Sequence, residues 1–199
     1  GCETRKAMCR CIDAQYAARI YKRATRFRLL DCRRVQTNKD IINFARKIKD
    51  SENFEAALDV FREIESTGGL PISISHFSNA MGMIQHIKKL SEEISSQRKG
   101  TDYILLTHSN IKNVMVFGEM PLLNGIRQFA GPKPLTKENI NEDLYAALPT
   151  ANILEYKGLE SRHVILALYC ESFFNTFELY IGMSRAIQSL TILILDNHV

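Results

Sequence analysis

A chain of 199 residues with 45% hydrophobic and 24% charged side chains, ten Gly and five Pro has the make-up of one sizeable globular domain. That excludes a disordered tail, a fibre and a linker-dominated protein, and a chain of this length buries enough surface to need no disulfide staples. The net charge of +4 is lopsided: residues 1–50 carry 14 Lys and Arg against 5 Asp and Glu, whereas the other 149 residues carry 12 against 17.

The basic stretch Arg19, Lys22, Arg23, Arg26, Arg28, Arg33 and Arg34 suits either a polyanion-binding face or a solvated helix face. Cys2, Cys9, Cys11, Cys32 and Cys170 are odd in number and form no paired framework, so the reading is a cytoplasmic protein with reduced thiols. No apolar run approaches the roughly 20 residues that span a bilayer, and no membrane association is expected. Cys9-x-Cys11 is too tight for a zinc knuckle and has no histidine at metal spacing, so no metal site is expected.

In chain order, residues 1–28 read as a basic helical segment set apart from a domain over 29–199. Ile41, Ile42, Phe44, Ala45 and Ile48 fall on one face of a helix over 39–49, and Phe54, Ala57, Leu58, Phe61 and Ile64 repeat the pattern over 53–64. Gly68-Gly69 breaks it, Pro71–Ser75 is strand-like, and Met81, Ile84, Ile87 and Ile94 mark a third helix that ends near Gly100. Asp102–Thr107 is a β-rich run, a helix is expected across Ile111–Phe117, and residues 118–150, rich in Gly and Pro, read as loop. Strands are expected at 152–155, 163–168 and 190–195, with a helix over 174–187. Apolar runs on both sides of helices imply strands buried on both faces, hence a three-layer α/β domain with a mostly parallel sheet and right-handed crossovers.

Sheets of this kind take ligands at the carboxyl ends of their strands, which directs attention to the loops there. Tyr156-Lys157-Gly158-Leu159-Glu160 lies between two strands; Gly158 lets a ligand approach the backbone, and a Lys and a Glu flank it. Taken alone it is a weak signal that reads first as a plain turn. Leu179–Ala186 puts Arg185 near a helix end, where it either caps the helix or reaches a phosphate, since guanidinium matches phosphate oxygens bidentately. His76, His86, His108, His163 and His198 are scattered and read as core or surface histidines, His108 being the most notable for its loop.

In this order, each followed by a strand, the segments ILEYKGLESRHVILAL and ELYIGMSRAIQSLTILIL resemble the fifth and sixth motifs of the UvrD/Rep-like superfamily 1 DNA helicases. Leu29–Arg34 together with Ile41, Phe44 and Ala45 is similar to the family's fourth motif, and Ile104–Asn110 to its strand that ends in a polar turn before a helix. The resemblance implies the C-terminal RecA-like (P-loop NTPase-type) domain of a motor that holds ATP with Mg²⁺ in the cleft against an N-terminal RecA-like domain and passes single-stranded DNA across the tops of its strands. By the same resemblance Arg185 is an arginine finger and Arg34, or Arg33, a second; Glu160 accepts from the ribose hydroxyl, Gly158 permits close approach and Lys157 lies beside them. Thr107, His108, Ser109 and Asn110 would meet nucleic acid, and Tyr180 packs.

The departures are specific. Asn152 and Leu154 stand where the family has Thr and His, and Arg34 is farther from Ile41 than usual. The sequence contains no Gly-x-x-x-x-Gly-Lys-Ser/Thr loop and no strand ending in an acidic pair, and Cys11–Gln15 only echoes the family's third motif. The reading is a motor half that completes an ATP site without hydrolysing ATP unaided, residues 1–28 being the end of an upstream motor domain. The alternative is a degenerate, non-catalytic helicase-like module that docks protein or nucleic acid.

Overall fold

Strands that are apolar at successive positions have two faces to bury, and in this chain both are covered. The computed structural model describes residues 39–67, 71–97, 99–116, 120–136, 147–170 and 175–196. The basic segment 1–28, Arg33, Arg34 and the cysteines other than Cys170 lie outside the described residues. The strands are β1 (Ile72–Phe77), β2 (Tyr103–Thr107), β3 (Met115–Val116), β4 (Met120–Pro121), β5 (Lys133–Pro134), β6 (Pro149–Asn152), β7 (Ser161–Tyr169) and β8 (Ala186–Leu195). Six of them form one sheet in the order β1-β8-β7-β2-β6-β5, every neighbouring pair parallel, while β3 and β4 make a short antiparallel pair of their own.

Helices α1 (Lys39–Lys49), α2 (Phe54–Thr67), α3 (Ala80–Ser96), α4 (Leu122–Ala130) and α5 (Thr176–Met183) supply the two outer layers. Val164, Leu166 and Leu168 of β7 point to one face with Ile104, Leu106, Ile192 and Ile194, and α1, α2 and α5 cover them. The alternate residues Ile165 and Ala167, with Leu105, Leu193 and Leu195, point to the other face against α3 and α4. Phe44 of α1 meets Phe61 of α2 edge-on, ring centroids 5.1 Å apart. Asp40 in the first turn of α1 and Arg46, Lys47 and Lys49 in its last complement the helix dipole. The Asn79 side chain caps α3 by accepting from the Gly82 N–H at 2.8 Å. Among the described residues no helix is long and apolar enough to cross a membrane.

Several expected boundaries move. Residues 111–116 of the helix expected across Ile111–Phe117 are not helical: Ser109–Asn113 is a single 3₁₀ turn that leads into β3, because Ile111 is its one buried side chain and anchors no longer amphipathic face. Conversely, the expected loop over 118–150 contains α4, whose Leu122, Ile126 and Ala130 recur every four residues and are buried. Pro121 is tolerated just before its first turn, and Gly131, at φ +81°, ends it in the left-handed region. The strand expected at 152–155 lies at Pro149–Asn152, since the Asn152 Oδ1 accepts from the Leu154 N–H at 2.9 Å and turns the chain away. Helix α5 stops at Met183, short of the expected 187, and β8 starts at Ala186 because Ala186 already pairs with Ser161 of β7.

At the edge of the sheet, His76 of β1 lies between Glu65 of α2 (Nε2 to Oε1, 2.5 Å) and Asp196 (Nδ1 to Oδ1, 2.9 Å). Partial burial pulls its pKa down, but the hydrogen bonds and charges of Asp196 and Glu65 outweigh burial and leave it above the ordinary histidine value of 6.5. A group raised on folding stabilises fully below its unfolded pKa and loses that contribution as pH climbs through the folded one. His76→Gln is therefore expected to cost more stability at pH 5.5 than at pH 8.5, read from urea midpoints. An equal cost at both would show that the two carboxylates do not hold the imidazolium.

Candidate functional site

The two segments singled out in the sequence come together at the amino end of the strands, not at the carboxyl end. Ser161 opens β7, and its N–H donates to the Arg185 carbonyl, one residue before β8, at 3.1 Å. The Ser161 hydroxyl donates to the carbonyl of Asp102, one residue before β2, at 2.8 Å. After β6 the chain has to travel back down the sheet to begin β7, which runs parallel on the far side of β2, so Lys157, Gly158 and Glu160 lie at the end of that return, beside Arg185. The expectation that these loops sit at carboxyl ends fails for this topological reason.

The Arg185 side chain is half-buried and held in place. Its Nε–H donates to the Ile181 carbonyl at 3.0 Å, one Nη to the Ser184 hydroxyl at 2.8 Å and the other to the Leu159 carbonyl at 3.5 Å. Gly158 has φ +94°, where a side chain is strained, and no atom lies within 4 Å of the place a Cβ would take. Lys157 and Glu160 are exposed. Tyr156 is 7% exposed and props the loop from below, its hydroxyl donating to the Glu160 carbonyl at 3.0 Å. Burial pushes the Tyr156 phenol above its ordinary pKa, and the nearby Arg185 charge offsets only part of this. Sequence reasoning assigned Tyr156 no role, although it is the one aromatic in that loop.

The residues expected to meet nucleic acid sit at the opposite, carboxyl end. Thr107 and His108 are buried, while Ser109 and Asn110 are half-buried. His108 Nδ1 lies 2.8 Å from Asn110 Oδ1, and its Nε2 is 3.4 Å from Glu178 Oε2. Burial lowers the His108 pKa, and the Glu178 charge and the Asn110 contact restore only part of it. Glu178, 1% exposed in the first turn of α5, accepts from the Ser109 N–H at 2.7 Å, the Ser109 hydroxyl at 2.6 Å and the Asn175 amide at 3.1 Å. Its signal in the sequence is slight: a lone acid in the apolar stretch TFELYIGM, three residues after the capping Asn175. At the two departures, Asn152 is consumed by its turn and Leu154 is 50% exposed. Tyr180 packs against the first core face, with the Lys49 ammonium 5.5 Å from its ring centroid.

Chemically, the amino-end cluster offers a guanidinium and an ammonium for phosphate oxygens, an exposed carboxylate for hydroxyls and an unobstructed backbone at Gly158. Arg34, expected to join them, lies outside the described residues. Among the described residues no group of three His, Cys, Asp or Glu side chains is placed to hold a metal ion.

No protein-family model and no curated protein sequence matches the chain. Among solved structures, the chain is similar to the C-terminal domain of a possible DNA helicase from Lactobacillus plantarum WCFS1, with 16% identity, a TM-score of 0.52, and coverage of 80% of this chain and 86% of that one. At that identity the likeness is one of fold, and with the six-stranded parallel sheet covered on both faces it makes this domain RecA-like in architecture.

Proposed function

We propose that the chain is the C-terminal motor domain of an ATP-dependent DNA helicase of the UvrD/Rep type, which completes an ATP site from the amino end of its sheet and grips single-stranded DNA at the carboxyl end. The observation that carries this reading is the contact of Arg185 with the Leu159 carbonyl: two segments 26 residues apart, each resembling a helicase motif, meet on one surface. The fold it shares with the C-terminal domain of a possible DNA helicase supports the same reading.

ATP with Mg²⁺, bound in the cleft against an N-terminal RecA-like domain, supplies the phosphoryl group that is transferred. Arg185 then neutralises charge on the phosphate oxygens, as a fixed guanidinium needs no reorganisation when that charge develops. Glu160 accepts from the ribose, Gly158 leaves room for it, and Lys157 adds a mobile positive charge. At the other end the Asn110 side-chain amide meets DNA phosphates, while Ser109, whose N–H and hydroxyl both go to Glu178, and the buried Thr107 and His108 shape the loop from beneath.

The non-catalytic alternative draws on Asn152 and Leu154, which carry neither the hydroxyl nor the imidazole the family uses there. The deciding experiment is ATP turnover, with and without a single-stranded oligonucleotide, in the protein that joins this domain to its phosphate-loop partner. Turnover that DNA stimulates is the expected result; a protein with an intact phosphate loop that binds DNA but hydrolyses nothing would make the domain a docking module.

A further inference from the structure

We infer that Glu178 is a positioning residue that ties the loop after β2 to Arg185 through helix α5, so that a ligand held at the carboxyl end of the sheet alters the guanidinium at the amino end. The inference rests on the reading just given. A carboxylate buried to 1% exposure is costly unless paired, and an apolar side chain of the same size would serve packing as well. Glu178 is instead fully engaged, and two of its three hydrogen bonds go to Ser109, 69 residues away in the chain. The loop Ser109–Asn110 therefore cannot shift without pulling on the first turn of α5.

The other end of that helix holds Arg185. Its guanidinium donates to the Ile181 carbonyl, three residues after Glu178, and to the Ser184 hydroxyl that caps the helix. Eight residues make a rod of about 12 Å. The rod is seated too closely to bend or slip locally: a Cβ on Gly182 would come within 3.1 Å of Ile153 and 3.2 Å of Leu166. Leu179, Ile181 and Met183 are buried in the same core face. A displacement at Glu178 is thus passed on as movement of the whole helix, which is the kind of discrete packed element that carries coupling between sites.

The test is a titration of the ¹⁵N-labelled 199-residue chain with an oligothymidylate, following the Ser109 and Asn110 amides and the Arg185 Nε–Hε resonance by NMR. In the wild type all three are expected to shift. In Glu178→Gln, which keeps the shape and one acceptor but loses the charge, the loop amides still shift and the Arg185 response is lost. Should the amide variant fail to fold, Glu178→Asp withdraws the carboxylate by one methylene while keeping its charge, and the same loss is expected. An Arg185 response equal to wild type in the folded variant overturns the coupling, as does a wild type in which the loop responds and Arg185 does not. A wild type in which the loop itself does not respond overturns the nucleic-acid reading, and the coupling with it.

Discussion

Replacing Arg185 by alanine is expected to reduce ATP turnover of the assembled two-domain protein by about 10³–10⁵-fold while nucleotide affinity changes far less, the signature of a guanidinium that acts mainly in the transition state. The side chain is half-buried and bonds to helix-end and loop carbonyls, so its loss leaves the core intact and folding serves as an internal control. Arg185→Lys sharpens the test. The ammonium keeps the charge but cannot donate in a planar fork to Ile181, Ser184 and a phosphate, and recovery is expected to be minor. Single-turnover hydrolysis alongside nucleotide-binding titrations separates the two quantities. Equal losses of binding and turnover would make Arg185 a binding residue, and unchanged turnover would remove it from the ATP site.

The second large effect is on stability. Leu166 is fully buried in β7, paired in register with Leu106 of β2 and Ile192 of β8, with its side chain against the place where Gly182 of α5 passes. Leu166→Ala removes buried methyl groups and opens a cavity that a rigid parallel sheet cannot collapse, at a cost of about 2–5 kcal/mol. Because stability changes of about 1 kcal/mol move the melting temperature of a domain this size by about 2–4 °C, the effect is measurable by urea or thermal unfolding. A cost below about 1 kcal/mol would mean that α5 does not rest on β7 as described, and the seating that makes the helix rigid would be lost with it.

Much of the architecture was legible from residues alone. The apolar runs Val164–Tyr169 and Leu190–Leu195 admit no solvated face, and a strand with two buried faces demands helices on both sides, which is a three-layer parallel sheet. Ile41, Phe44, Ala45 and Ile48 announced α1 by helical spacing, and all four are buried. Helix α4 was hidden because Pro121, Pro132 and Pro134 crowd nine residues whose period is sound but short. The 3₁₀ turn at Ser109–Asn113 resembles a helix in sequence for the opposite reason, since Ile111 and Val114 mimic a helical period that has no further turns behind it.

What the residues by themselves determined, then, is the layered α/β class, the main strands and helices and the resemblance carried by the KGLE and SRA segments, because hydrophobic period and motif spacing are local properties of the chain. Only the tertiary structure decided that those segments face each other at the amino end of the sheet, that Thr107 and His108 lie beneath the surface, and that Glu178 reaches across 69 residues to Ser109. These are consequences of how parallel strands must be connected. Each crossover returns the chain the full length of the sheet, so which end a loop reaches, and which distant carboxylate it finds there, depends on contacts between residues far apart in the chain.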